Sequence, residues 1–369
     1  MNLIRNTVGR VTFVTLLFLF SPKLFAETFD VRALWVVRDH IISKEKIDQV
    51  LIFAEENNYN HLFVQIRGRG DAYYKSRLVP RSHLLAKTKF DPLKYILKKA
   101  QGSPIKIHAW FNVYYLWSSP MIPSQPNHLL LSHPGWMDTK NPDPINIDFT
   151  LAEMRKNRQS NGEGFYLSPT HPEVDAHLQN VLTELLQNYN LDGIHFDYIR
   201  YHDLQWGMNP IGLKYFLNYN RSMPGLPSLE LKEKPSFAEF KRSAITGFIS
   251  KASTRIKAYQ PDCIISAAVK PNLYSARNTF GQEWDVWLAG GYIDWAVPMN
   301  YTMDLSTFDK NIQIMKENLP EKYLDRVIMG IATYNQNAEN AGKKIYHSGK
   351  NDFSGISIFS YTVFRDEPS

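Results

Sequence analysis

Two hydrophobic rhythms alternate along the chain. Short runs rich in β-branched and aromatic residues recur, and between them lie stretches whose apolar positions return every three or four residues. DVRALWVV (30–37) is the first run. SKEKIDQVLIFAEENN follows, with Ile47, Val50, Leu51 and Ala54 on one helical face and Ser43 placed as N-cap. HLFVQIRG (61–68) predicts the second strand, DPLKYILKKAQG a helix with Pro in its first turn and Gly after its end, and IKIHAWFN (105–112) the third strand. HPEVDAHLQNVLTELLQNYN reads as an amphipathic helix and LDGIHFDYI (191–199) as the fourth strand. The helix FAEFKRSAITGFISKASTRIKAYQ leads to CIISAAVK (263–270), the fifth strand, and QEWDVWLAGG to IDWAVPMNY (293–301), the sixth. STFDKNIQIMKENL, with Ser306 as cap, precedes RVIMGIATY (326–334), and a short polar helix around 336–346 precedes GISIFSYT (355–362).

Strands separated by helices pair in parallel, and eight such units predict an α/β fold, a (β/α)8 TIM barrel. A doubly wound open sheet would want a Gly-rich turn after its first strand, and VVRDHIIS has none. Two long irregular segments, roughly 113–172 and 201–235, follow the third and fourth strands. They belong on the C-terminal face, where such barrels carry their sites.

The opening residues form a different unit. MNLIRNTVGR is basic, VTFVTLLFLF is apolar and SPKLFA ends in alanine, the layout of a secretory signal cut after Ala26. The apolar core is too short for a stable membrane span. Residues 27–369 are then expected to form one barrel domain, periplasmic or secreted. Losing Arg5, Arg10 and Lys23 lowers the net charge from +6 to +3, too little to argue for nucleic acid. The single cysteine, Cys263, sits in an apolar run and has no intrachain partner. Aromatic residues are abundant, with 21 Phe, 20 Tyr and 8 Trp; most are expected in the core, and Trp and Tyr clustered at strand ends are also residues that stack on sugar rings.

Polar residues at the C-terminal ends of the strands are the candidates for chemistry. Period-two alternation puts His195 and Asp197 on the inner face of strand four, His108, Trp110 and Asn112 on that of strand three, and Gln65 with Arg67 on that of strand two. Arg200, Tyr201, Asn300, Tyr301 and Tyr334 extend the set. Unpaired charges are costly in a core, so an inward group of this kind reads as a polar pocket. Trp117 and Trp206, in the long loops, are candidate sugar platforms. Asp192 precedes its strand and is expected to anchor a turn with Gly193. No HxH or HExxH pattern, GxSxG elbow or phosphate loop occurs, so neither metal nor cofactor is expected.

The motifs DVRALWVV, FVQIRGRGDAYYKS, HAWFNVYY, SPTHPEV, LDGIHFDYIRY and PMNY resemble, in order, the glycosyl hydrolase-like 10 family over most of residues 29–361. The resemblance implies an exported, carbohydrate-active (β/α)8 barrel. A more distant likeness is to the C-terminal barrel of the exported poly-N-acetylglucosamine deacetylase. Strand four is also similar to the family-18 chitinase motif DGxDxDxE. Asp192, Gly193 and Asp197 match it, His195 replaces its first internal Asp, and Ile199 stands where the proton-donating Glu would be. Glycosidases of the usual kind need two carboxyls flanking the scissile bond. Asp197 is the first, with Asp304 and then Asp71 as candidate partners. Substrate-assisted hydrolysis on Asp197 with Tyr301 or His195 stays open. Arg67, His108, Trp110, Asn112, His195, Arg200, Tyr201, Asn300, Tyr301 and Tyr334 would then bind a bacterial polysaccharide or oligosaccharide, with an amino-sugar polymer as one candidate. A non-catalytic polysaccharide-binding barrel is the alternative, and a lyase or transferase the third reading.

Overall fold

The computed structural model describes residues 29–119, 121–141, 163–221 and 236–364. The expected cleavage site at Ala26 lies outside them. Eight parallel strands form the sheet: β1 (Val31–Val36), β2 (His61–Arg67), β3 (Lys106–Asn112), β4 (Gly193–Asp197), β5 (Ile264–Val269), β6 (Trp295–Pro298), β7 (Ile328–Ala332) and β8 (Gly355–Phe359). Neighbours in sequence are neighbours in the sheet, and β8 returns to pair with β1. Bridges Ala296–Val327 and Met299–Gly330 join β6 to β7 and close the barrel. Each predicted strand is present at its predicted place.

The helices pack outside. They are α1 (Lys44–Glu56), α2 (Pro92–Ala100), α3 (Pro172–Asn188), α4 (Pro210–Arg221), α5 (Phe237–Tyr259), α6 (Leu273–Phe280), α7 (Trp284–Ala289), α8 (Leu305–Asn318) and α9 (Ala338–Gly349). Ser43 caps α1 as expected, accepting from the Lys46 amide. Helix α4 falls inside the segment 201–235 that the sequence reads as irregular, where Pro and Gly mask its apolar periodicity. Helix α8 is capped by Asp304 rather than Ser306. The Asp304 carboxylate accepts from the Thr307 amide at 2.7 Å and from the hydroxyls of Ser306 and Thr307.

Two apolar layers hold the barrel. The outer one lies between sheet and helices and includes Val64, Ile107, Ile194 and Ile265. The inner one fills the barrel: Ala33, Trp35, Phe63, Trp110, Ala268, Val297 and Ile328. Trp35 is its hub, edge-on to Phe63 at 5.2 Å, Trp110 at 4.7 Å, His195 at 4.5 Å and Phe359 at 5.6 Å. Small Ala33 and Ala268 leave room for these rings, and each aromatic contact adds about 0.5–1.5 kcal/mol beyond burial.

The Asp192–Gly193 pair anchors β4 from below. Asp192 accepts from the Ile107 amide at 2.9 Å and pairs with Lys106 at 3.4 Å. A Cβ at Gly193 would lie 2.1 Å from His108 Nδ1. His108 cannot retreat, because its Nε2 shares a 2.8 Å hydrogen bond with His61. Gly193→Ala is therefore expected to destabilise the fold by roughly 1–3 kcal/mol, the usual cost of overpacking a full core. Urea denaturation checks this, and an unchanged midpoint contradicts the packing described.

Candidate active site

The C-terminal mouth of the barrel centres on Asp197, the last residue of β4. It pairs in register with Asn112 at the end of β3. Its side chain turns inward, as alternation requires, and is 6% exposed. One carboxylate oxygen accepts from Trp110 Nε1 at 3.1 Å, the other from the Tyr198 amide at 2.7 Å. Trp110 Nε1 also donates to Asn112 Oδ1 at 2.8 Å, and Asn112 Nδ2 donates to the Gly68 carbonyl. Tyr198 has φ of +49°, a left-handed backbone that a bulky residue adopts only under constraint. Burial pushes the Asp197 carboxyl up to about 6, against the hydrogen bonds and the Arg200 charge.

A second carboxyl shares the mouth. Glu163 lies two residues before the start of the short strand Phe165–Tyr166, which pairs antiparallel with Tyr115–Trp117 just beyond β3. Gly164 lets the chain enter that strand: its φ is +118°, and a Cβ there would lie 2.2 Å from the Trp117 carbonyl oxygen. Arg200 Nη2 donates to both Glu163 oxygens, at 3.1 and 2.9 Å, and the Tyr166 hydroxyl donates to one of them. Burial favours the protonated form of Glu163, but Arg200, Tyr166 and Lys270 outweigh it and hold the carboxyl below its ordinary value. Its charge reaches Asp197 and helps raise that group. Lys270, at the end of β5, is lowered to about 8 by burial and by Arg200, and its amine lies 4.5 Å from the Phe280 ring centroid.

Aromatic rings frame these groups. Tyr115 stacks on Tyr198 at 4.4 Å, and the Arg200 guanidinium lies 4.9 Å from the Tyr198 ring. Tyr301 lies 5.6 Å from Phe359, and its buried hydroxyl has no hydrogen-bond partner among the described residues. Tyr334, 6.0 Å from Phe359, is 58% exposed.

Two carboxyls thus share the C-terminal mouth of the barrel. The profile of the family described as Glycosyl hydrolase-like 10 matches residues 30–348. The chain belongs to this family. Its relatives include "Glycosyl hydrolase DigH" of Escherichia coli strain K12, 28% identical over 145 residues, which is 37% of this chain and 30% of that protein. "Glycosyl hydrolase YngK" of Bacillus subtilis strain 168 is 23% identical over 229 residues, 59% of this chain and 38% of that protein. The matched stretches thus span about a third of those relatives. Among solved structures, the PgaB (BpsB) glycoside hydrolase domain from Bordetella bronchiseptica superposes with a TM-score of 0.63 at 12% identity, over 92% of this chain and 96% of that one. At that identity the likeness bears on the fold alone.

Within this glycosyl hydrolase-like barrel the residues expected at the site divide. Asp197, Arg200, Tyr301 and Tyr334 meet at the mouth. Trp110 and Asn112 lie there too, but their polar atoms are spent on Asp197, on each other and on Gly68, so they position the carboxylate. His108 and His195 face inward but lie below the mouth. His195 is stacked on Phe63 at 4.1 Å and bonded to Ser266 at 2.8 Å, and burial lowers it to about 3. Both imidazoles are core residues rather than sugar ligands.

Other expectations are corrected by local structure. A register shift between Gln65 and Arg67 turns Arg67 to the outer layer, where it lies 5.0 Å from the Phe111 ring centroid and donates to the Asn112 and Val113 carbonyls. Tyr201 is buried outside the barrel, its hydroxyl donating to the Lys241 carbonyl. Asn300 donates to the Phe308 carbonyl and accepts from Asn311. Asp304 is an exposed helix cap, held at about 2 by the Thr307 and Ser306 hydrogen bonds, and so cannot serve as acid. Asp71 closes its own turn, accepting from the Arg69 amide at 2.8 Å. Trp117 and Trp206 pack into the loops, against His128 at 5.0 Å and His202 at 5.2 Å. Glu163 lies in a loop and not at the end of a barrel strand, so alternation along the strands does not point to it. Its signal is a Glu beside Gly in EGFY, within the loop after strand three.

The raised Asp197 makes a stability prediction. Its folded value lies above its unfolded one, so between about pH 4 and 6 the native state holds the extra proton and stability falls as pH rises. Asp197→Asn removes that titration. The stability of wild type relative to Asp197→Asn should fall by roughly 1–3 kcal/mol from pH 4 to pH 7. Urea melts at the two pH values read it, and a pH-independent difference contradicts a desolvated Asp197.

Proposed function

We propose that this chain is a glycoside hydrolase of bacterial polysaccharide in which Asp197 is the proton-holding acid and Glu163 the ionised partner. One observation carries the reading: two carboxyls share a mouth whose surroundings push their proton affinities apart. Such a split assigns acid and base roles. Burial keeps a proton on Asp197 up to about pH 6. That proton passes to the glycosidic oxygen as the bond to the anomeric carbon breaks, and the leaving sugar departs as an alcohol. Glu163, fixed by Arg200 and Tyr166, offers negative charge to the developing oxocarbenium ion or accepts a proton from the attacking water. Lys270 has donors to spare for sugar hydroxyls, and exposed Tyr334 offers a ring face. The basic and apolar opening residues support export to the periplasm or beyond. The resemblance to the poly-N-acetylglucosamine deacetylase barrel makes an amino-sugar polymer the first substrate to try.

Digestion of a panel of purified exopolysaccharides, fully and partly N-acetylated, is the test. Asp197→Asn and Glu163→Gln should each lower cleavage by about 10²–10⁴-fold while leaving glycan binding largely intact. The rate should fall as pH rises through about 6, where Asp197 loses its proton, and fall again in acid as Glu163 is protonated. Glycan binding by wild type without cleavage of any polymer supports the non-catalytic binding barrel instead.

A further inference from the structure

The positive charge of this chain is concentrated in one stretch. Residues 75–106 hold nine Lys and Arg against one carboxylate, Asp91, a net of +8. The whole chain is +6, so everything outside the stretch sums to −2. The segment comprises the loop after β2, helix α2 and the turn into β3, on one flank of the barrel.

Lys75, Arg77, Lys87, Lys89, Lys94 and Lys98 are all exposed. Among the described residues none of the six has a carboxylate within ion-pair distance. Neighbouring acids are committed elsewhere: Asp48 to Lys99 at 3.5 Å, Asp192 to Lys106 at 3.4 Å, and Glu184 to the Arg77 amide and the Ser76 hydroxyl. The surface is also fixed in shape. The Arg81 guanidinium donates to the carbonyls of Leu85, Thr88 and Phe90. The Tyr189 hydroxyl ties the Lys75 amide, at 2.9 Å, to Asp91, at 2.8 Å, and Asp91 caps α2. Loop and helix therefore present one rigid basic face.

Two leucines stand among these cations. Leu78 is 42% and Leu84 43% exposed, while Val79, Pro80 and Leu85 of the same loop are buried. We propose that this flank docks on an anionic phospholipid bilayer, its lysines meeting lipid phosphates and Leu78 and Leu84 entering the boundary with the acyl chains. Lysine is depleted from protein–protein interfaces, which argues against a protein partner. A sugar-binding surface would offer exposed aromatic faces, and the apolar groups exposed here are aliphatic. Basic residues interleaved with insertable apolar side chains match an anionic membrane surface.

The test is co-sedimentation of the full chain with vesicles of phosphatidylglycerol and phosphatidylethanolamine, against vesicles of phosphatidylcholine alone. The opening residues, themselves basic and apolar, are common to every variant, so the difference between variants on the anionic vesicles reads the basic flank. Wild type should partition preferentially to the anionic vesicles at low ionic strength and come off as salt is raised. The combined Lys87→Glu, Lys89→Glu, Lys94→Glu and Lys98→Glu variant should lower the anionic partition coefficient by at least about tenfold, since each lysine near such a surface contributes about fivefold. Leu78→Ser with Leu84→Ser, which keeps every charge, should lower it too and leave the salt dependence in place. An unchanged thermal midpoint shows that the variants are folded. Equal partition to the two vesicle types overturns the proposal, as does anionic binding by the four-lysine variant that matches wild type. So does retention on an immobilised anionic polysaccharide without vesicle preference, which assigns the flank to a glycan.

Discussion

The mouth of this barrel depends on a carboxylate taken out of water with few donors to replace it. Asp197 is held by one indole N–H and one backbone N–H, and among the described residues no cation bonds it directly. Burying a charge under such terms is costly, and a carboxyl relieves the cost by keeping its proton. The barrel enforces the arrangement from below. Trp110 holds Asp197 and Asn112 from one nitrogen, and Trp35 packs against Trp110 and His195 beneath them. That aromatic floor fills the barrel beneath the carboxylate. It also explains the neutral state of His195, which can then donate or accept but adds no positive charge to draw the proton off Asp197.

Glu163 experiences the opposite environment a short way off. It is partly exposed, anchored to a guanidinium that is itself nearly buried, and touched by a phenol. Two chemically similar acids are thus driven apart by burial on one side and by Arg200 on the other. The devices that hold them are local: the left-handed turn at Tyr198, the glycine at 164 and the small antiparallel pair joining 115–117 to 165–166. The long loop after β3 and the end of β4 are therefore one unit, and either alone would leave a single carboxyl at the mouth.

Much of this was legible in the chain. The eight strands declared themselves as short β-branched and aromatic runs, and period-two alternation correctly turned Asp197 inward. Alternation failed at Arg67 because a register shift adds a residue, and no pattern in QIRGRG announces the shift. It located His108 and His195 on the right face but not at the right height, since inward-facing residues also build the packed layers under a site. Asp304 proves a cap because α8 begins two residues before the helix expected from a Ser306 cap, which turns a loop aspartate into the capping residue. Glu163 lay in a segment without periodicity, where a functional side chain is placed by tertiary contacts that no local rule encodes.

The most direct measurement is carbon-13 NMR titration of the side-chain carboxyls, with Asp197 assigned by its loss in Asp197→Asn. The account predicts a resonance with a midpoint near 6 that moves to lower pH in Glu163→Gln, where the neighbouring negative charge is gone. A midpoint at the ordinary aspartate value near 4, or one indifferent to Glu163, would contradict a desolvated, coupled carboxyl pair at the mouth of this barrel.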